Sequence, residues 1–426
     1  MRILFVSNFY PPHEIGGYEQ WCQEIAESLK EWGHQVHVLT SRHGLKSPAE
    51  NGITIADGGV TRSLYLQADL NYYHPIDFTL HNTHRERANR RELQTVINQF
   101  KPDVIMVWGM WNLSLNVPFW AEQQLPGRVA YFISSYWPMD TDPHTLYWQL
   151  PANHLITEMV KRHLRSLFLS KLKEEGYPPQ LRFEHAVCCS KYVHDTLVNA
   201  GRLPESAGVL YGGSDPQPFW REIKAPDQLE NTPLRLLYFG RLIHDKGIHT
   251  AIEALGLLKQ RNSAENISLT ILGSGHPDYE ARLREMVEQL NITNQVQFIK
   301  KVPRGEIPGV VKQFDVFLFT SIWAEPMARS VMEAMAAGLL VIGTEVGGQP
   351  EMMIHQKNAL TFEAEDAVKL AEHITRVKDD RQLLARLARA GQELVLEQFT
   401  LTRMANEIEQ LLVQVSSKPE TNQLAI

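Results

Sequence analysis

The segment SIWAEPMARSVMEAMAAG carries two carboxylates, Glu325 and Glu333, with seven residues between them. On a helix such positions fall about two turns apart and roughly on one side. Two carboxylates there suit the hydroxyls of a sugar. With Pro326 in the first helical turn, the amides of Met327, Ala328 and Arg329 would face a ligand, and a helix N-terminus favours phosphate. The alternative is a capped helix with an exposed Glu333, which the small, crowded AMAAG run disfavours. In GRLIHDKG, Arg241 and Lys246 stand five positions apart. A planar guanidinium and a mobile ammonium converging on one point would bind a diphosphate and stabilise it as it leaves; solvated loop cations are the other reading. Gly16 and Gly17, in PPHEIGGYEQW, permit close backbone approach to a phosphate, or simply form a tight turn. The three spaced glycines of the dinucleotide fingerprint are missing, which disfavours a dehydrogenase.

These groups need elements to hold them. The chain has 426 residues, 43% of them hydrophobic, too long for one ordinary core and enough for about two domains. Short β-rich runs alternate with amphipathic helical stretches, the pattern of parallel sheets flanked by helices. The strands expected in the first half are 3–7, 35–40, 104–107, 129–133 and 186–189. In the second half they are 234–239, 268–272, 296–299, 316–319 and 340–343. Helical spacing marks 19–31, 250–261 and 279–290. The result is an α/β architecture of two doubly wound parallel sheets. Arg241 and Lys246 then lie on the loop beyond the carboxyl end of a strand, where ligands bind in such sheets, and the two glutamates lie at and within the helix that follows strand 316–319. A linker poor in periodicity, 212–235, separates the halves, and the polar tail 416–426 is expected to fray.

Composition narrows the partners. A net charge of −7 makes a nucleic-acid backbone an improbable target. Three cysteines, two of them adjacent (Cys188 and Cys189), point to reduced thiols in a cytoplasmic setting. The first apolar run, Ile3 to Val6, is too short for a signal peptide, and no run reaches the length of a membrane span. Asp140-Thr141-Asp142 spells a metal-holding carboxylate pair, but it sits in the first half, away from the nucleotide signals. With Ser134, Trp137, His144 and Trp148 it is better placed on an acceptor side, where polar groups and aromatic faces hold sugar rings. Core packing is the competing account of the tryptophans. The stretch 158–175, with Lys161, Arg162, Arg165, Lys171 and Lys173 among leucines and Phe168, reads as an ordinary surface helix first. Docking at a membrane surface is its second reading, so contact with the inner face of the membrane is the one lipid partner considered.

Taken in order, GGYEQW, GRLIHDKG, the two spaced glutamates and VGGQPE resemble the GT-B glycosyltransferases, in particular the large retaining family 4. VCCSKYVHDTLVNAG and LYGGSDPQPF are similar to that family's last N-domain strand and hinge. The resemblance implies an N-terminal Rossmann-like acceptor domain over 1–214 and a C-terminal Rossmann-like donor domain over 215–400. It also implies a last segment, 401–426, whose helix returns to the first domain. It implies a metal-independent enzyme with no cofactor, moving a sugar from a nucleotide-diphosphate donor, UDP- or GDP-sugar, to a saccharide or lipid-linked acceptor with retained anomeric configuration. Glu333 would bind ribose hydroxyls, Glu325 the donor sugar, and Arg241 and Lys246 the diphosphate, with Gly16 and Gly17 approaching it across a cleft. The base would sit near Lys301 and Val302, bordered by Gly273 and Gly275. The chain departs from the family at Ser134, Ser135 and Tyr136, where a histidine or aspartate is common. Trp108-Gly109-Met110 also stands where a histidine is common, and Ala328 replaces a frequent glycine. A nucleotide-sugar epimerase on the same fold and a catalytically weak nucleotide-sugar-binding protein are the alternatives.

Overall fold

The computed structural model describes residues 1–13, 16–45, 59–70, 75–152, 154–174, 177–229 and 232–417. The expected fraying of the tail falls almost wholly outside these residues, as does part of the expected linker. The chain forms two compact units. The first comprises Met1–Cys189, Val193–Leu210 and Ala405–Ile426; the second comprises Ser190–Tyr192 and Tyr211–Met404.

In the first unit the strands are β1 (Arg2–Ser7), β2 (Gln35–Ser41), β3 (Gly59–Leu64), β4 (Val104–Val107), β5 (Val129–Ile133), β6 (His185–Cys188) and β7 (Gly208–Val209). They pair in the order β3-β2-β1-β4-β5-β6-β7, every pair parallel. The helices are α1 (Gly17–Glu31), α2 (Pro75–Phe100), α3 (Asn116–Gln124), α4 (Pro143–Gln149), α5 (Leu155–Glu174) and α6 (Lys191–Asn199). β1, β4 and β5 are buried along their lengths except at Arg2. That follows from a sheet covered on both faces, whose strands read as continuous Ile, Leu, Val and Phe runs instead of alternating ones.

The second unit repeats the plan with β8 (Leu234–Phe239), β9 (Ile267–Leu272), β10 (Val296–Ile299), β11 (Val316–Phe319), β12 (Leu340–Thr344) and β13 (Ala359–Phe362). Their order is β10-β9-β8-β11-β12-β13, again all parallel. The helices are α7 (Pro226–Leu229), α8 (Ile248–Gln260), α9 (Pro277–Gln289), α10 (Ile307–Val311), α11 (Arg329–Ala336), α12 (Ala367–Asp379), α13 (Arg381–Gln398) and α14 (Leu401–Ser416), the last crossing into the first unit. Leu236, Leu269, Ile271, Leu318, Ile342 and Leu360 pack with Ile252, Leu255, Ile374 and Leu387 in one core. All ten strands expected from sequence are present within a residue or so, and β3, β7 and β13 are additional. The stretch expected as a loose linker is pinned to the second unit: Arg221 donates to the carbonyls of Ala337 at 2.7 Å and Phe314 at 2.6 Å, and to that of Lys312.

Candidate active site: two ion pairs at the switch point of the second sheet

Strand order in the second sheet reverses between β8 and β11, so the loops leaving these two strands part and open a crevice. The β8 loop holds Arg241 and a 3-10 turn, His244–Lys246; the β11 loop holds Ser321 to Ala328. Backbone and hydroxyl bonds stitch the loops together. Ile322 N–H donates to the Asp245 carbonyl at 2.9 Å, Thr320 Oγ1 to the Lys246 carbonyl at 2.8 Å, and Ser321 Oγ to the Asp245 carbonyl at 3.1 Å. Gly247 makes this approach possible. Its φ is 62°, and a β-carbon there would collide with the Thr320 carbonyl oxygen.

On this platform the Lys246 ammonium pairs with Glu325 Oε1, which also accepts from Ser321 Oγ at 3.1 Å. Glu325 is buried. Its backbone is held from a third direction, because Gly348 N–H donates to the Glu325 carbonyl at 2.9 Å and Gly347 lies against the Ala324–Glu325 peptide. Burial and the nearby Glu325 charge push the Tyr238 phenol far up, so it stays a donor, to the Arg241 carbonyl at 2.8 Å. The Arg241 side chain is exposed and makes no hydrogen bond or ion pair with the described residues.

Glu333, only 1% exposed, sits on α11. It receives a two-pronged contact from Arg304: Nη1 at 3.1 Å to Oε2, and Nη2 to Oε1. Arg329, four residues earlier on the helix, brings Nε to 3.6 Å from the same oxygen. A fully buried carboxylate requires this much cation. Val302, half-buried, and Lys301, exposed, lie on the same loop as Arg304, and Gly275 lies beside Leu242, forming an isolated bridge with it. A β-carbon on Gly275 would overlap the Leu242 carbonyl.

Two expectations about this region need correcting. Pro326 does not enter the helix, which starts at Arg329 with Ala328 at the cap position in an extended conformation. The long-range hold of Gly347 and Gly348 on the 324–326 backbone keeps that segment out of helical geometry. The amides of Met327 and Ala328 are therefore not first-turn amides, and Glu325 and Glu333 do not share a helix face. They belong to separate ion pairs. Lys246 is likewise no solvated cation but the partner of Glu325. Sequence reasoning missed Arg304 outright, and it quoted Ser321 in SIWAEP and Gly347 and Gly348 in VGGQPE without assigning them a contact; the contacts of Arg304, Gly347 and Gly348 with the glutamates span 29, 22 and 23 positions, too far for a local pattern to announce them.

The first unit places its own candidates. Gly16 caps α1 in an extended conformation and Gly17 opens the helix, but Gly16 N–H already donates to Glu19 Oε2 at 2.9 Å. That amide is thus taken by the helix's own carboxylate. Trp137 and His144, expected on an acceptor surface, are 3% and 1% exposed. Trp137 packs on Tyr131 and Phe183 because a large apolar ring beside β5 gains more from the core than from water. Burial pushes His144 down to about 3, so it is neutral near pH 7. Asp142 caps α4, accepting from His144 and Thr145 N–H at 3.0 Å each, which gives the Asp-Thr-Asp run a structural task. Ser134 is half-buried and Asp140 exposed, so only these two of the acceptor-side candidates reach the surface. Trp108 is buried, its indole N–H donating to the Tyr18 carbonyl at 2.8 Å.

Comparison with known proteins bears on both units. Residues 15–217 match the family model Glycosyltransferase Family 4, and residues 220–394 match Glycosyl transferases group 1. The amylovoran biosynthesis glycosyltransferase AmsK of Erwinia amylovora is 32% identical over 50% of this chain and 52% of its own length. The putative colanic acid biosynthesis glycosyltransferase WcaL of Escherichia coli is 32% identical over 45% and 47%. The chain thus spans about half the length of these relatives. Among solved structures, a glycosyltransferase from Rickettsia africae superposes with a TM-score of 0.69 at 18% identity, covering 98% of this chain and 99% of that one. Anabaena HepE, in complex with UDP-glucose, gives 0.66 at 19% identity, with 97% and 100% covered. Two parallel Rossmann-like sheets and two family models that between them take in most of the residues lead to one assignment: the chain belongs to the GT-B glycosyltransferases of family 4, group 1.

Proposed function

We propose that the protein is a retaining, metal-independent glycosyltransferase that moves a sugar from a nucleotide-diphosphate donor, UDP- or GDP-linked, to a hydroxyl of a saccharide or lipid-linked acceptor. The observation that carries this reading is the clustering of Lys246, Glu325 and Ser321 at the switch point, with Arg241 open beside them. Arg241 and Lys246 neutralise the diphosphate, Glu325 accepts from donor-sugar hydroxyls, and Glu333 accepts from the ribose diol. Val302 and Gly275 border the base, and Met327, Ala328 and Arg329 line the approach to Glu333.

In the reaction the bond from the anomeric carbon to the phosphate oxygen breaks and a bond to the acceptor oxygen forms on the same face. The acceptor's proton passes to the departing phosphate oxygen. Charge builds on that phosphate, and prepositioned cations stabilise it without a metal, each such interaction commonly contributing about 3–4 kcal/mol. Support comes from HepE, which has the same fold and is seen with UDP-glucose. AmsK and WcaL, named for amylovoran and colanic acid biosynthesis, support a role in polysaccharide or glycoconjugate assembly. A cytoplasmic location accords with Cys22, Cys188 and Cys189, which form no disulfide among the described residues.

The test is nucleotide release and product formation with UDP- and GDP-sugars across an acceptor panel, with EDTA present and the product's anomeric configuration read by NMR. Acceptor-dependent release giving a retained configuration is the expected result. Donor turnover without acceptor, an inverted product, or activity abolished by EDTA would each overturn the reading.

A further inference from the structure

In the first unit α5 has an apolar face that none of the described residues covers. Leu155, Ile156, Met159, Val160 and Leu167 are 86%, 80%, 65%, 56% and 66% exposed. Their spacing of one, three or four, then seven positions gathers them on one side of the helix. The orientation is fixed by the other side. Phe168 stacks on Trp148 with ring centroids 4.3 Å apart, and Phe168 and Leu169 pack against Tyr177. Lys161, which sequence places among the solvated cations, is buried, donating to the Leu150 carbonyl at 2.6 Å with its ammonium over the Tyr147 ring. That bond locks the corner between α4 and α5, where Leu146 and Leu150 are also exposed, at 45% and 51%. The outward leucines are therefore held outward by an anchored helix.

A helix with two apolar sides is not an ordinary surface helix, and exposed patches of this kind mark interaction surfaces. Charge identifies the partner. α5 carries five basic and two acidic residues in a chain of net charge −7; Lys161 is buried and Arg165 lies 3.8 Å from Glu158, whereas Arg162 and Lys173 are exposed and available to a partner. Two copies packed through this face would bring like charge together, whereas an anionic lipid surface accepts both the side chains and the cations. Among the described residues no helix is long and apolar enough to cross a membrane, so the contact is lateral. We propose that the outward face of α5, extended by Leu146 and Leu150, docks the protein on an anionic membrane surface. This goes beyond the transfer reaction and does not depend on it.

The experiment is flotation of the full chain with vesicles of phosphatidylcholine containing phosphatidylglycerol, with pure phosphatidylcholine as control, at low and high salt. The wild type should float with anionic vesicles, less so at high salt. An Ile156→Ser, Met159→Ser, Leu167→Ser variant should bind about tenfold more weakly with an unchanged melting temperature, since the three side chains are already in water. Arg162→Gln with Lys173→Gln should lose the preference for anionic vesicles, and it decides the question should the serine variant fold poorly. A wild type that stays at the bottom overturns the proposal, as does undiminished flotation of a folded serine variant. So does a wild-type dimer, seen by light scattering, that the serine variant breaks while neither binds vesicles.

Discussion

Replacing Gly347 by alanine perturbs Glu325 without touching any group assigned to substrate. Gly347 sits at φ 60°, and a β-carbon built on it lies 2.7 Å from both the Ala324 carbonyl carbon and the Glu325 nitrogen, and closer still to the Glu325 carbonyl oxygen. Against an ordinary contact of 3.4 Å, the peptide must move by at least 0.7 Å. Left-handed geometry adds about 1–2 kcal/mol of strain for alanine, which for a unit of this size lowers the melting temperature by roughly 2–8 °C. A displacement approaching an ångström at a catalytic group costs on the order of 10- to 100-fold in rate. Gly347→Ala should therefore fold, melt a few degrees lower and lose kcat by that factor. Gly309→Ala, where a β-carbon meets nothing within 4 Å, should leave kcat unchanged. The assay is nucleotide release under saturating donor, beside a melting curve. A folded Gly347→Ala enzyme with wild-type kcat would refute the claim that the glycine pair positions Glu325.

Other substitutions separate the roles. Glu325→Ala and Arg241→Ala should each lower kcat on the order of 100- to 1,000-fold with the fold intact by circular dichroism; full activity in either counts against the site. Glu333→Gln removes a charged acceptor from the proposed ribose site and leaves Arg304 and Arg329 without their carboxylate, so donor Kd by calorimetry should rise about tenfold or more. Acid should destabilise the first unit. Burial holds His37 at about 4 and His144 at about 3, whereas both return to about 6.5 when unfolded, so below pH 6.5 the unfolded chain binds protons that the folded one refuses. Their stabilisation is complete above 6.5 and falls by about 1.4 kcal/mol per pH unit for each histidine as pH drops towards those values. Tryptophan fluorescence, with seven of nine tryptophans in the first unit, should show its melting temperature falling from pH 7 to pH 5, and His144→Asn should flatten the slope.

How far the sequence announces this molecule depends on the range of the interactions. The buried parallel strands, such as LLYFG and VFLF, are legible because a doubly covered strand is a continuous apolar run between turn residues. β3 escaped because its half-buried GVTRSL alternates weakly at the sheet edge, and β7 because two residues carry no pattern. The functional loops are legible by position, since strand ends in such sheets are where ligands go. What charge partners they have is not. Pro326 has the local signature of a first helical residue, yet Gly347 and Gly348, more than twenty positions away, decide otherwise. In the same way Lys161 reads as a cation of a surface helix and is buried, while Leu167 of the same helix is exposed. Residue type predicts chemistry; tertiary packing decides which face shows it.

The central claim is that the second unit binds a nucleotide-diphosphate sugar through Arg241, Lys246, Glu325 and Glu333 without a metal. A thermal-shift screen against UDP-, GDP-, ADP- and dTDP-sugars, with and without EDTA, tests it most directly, because a ligand at 100 times its Kd stabilises the native state by about 2.7 kcal/mol. The shift should be selective for one nucleotide, unchanged by EDTA and lost in Arg241→Ala and Glu333→Ala. No shift with any donor, or one that survives both substitutions or needs a divalent ion, would contradict it.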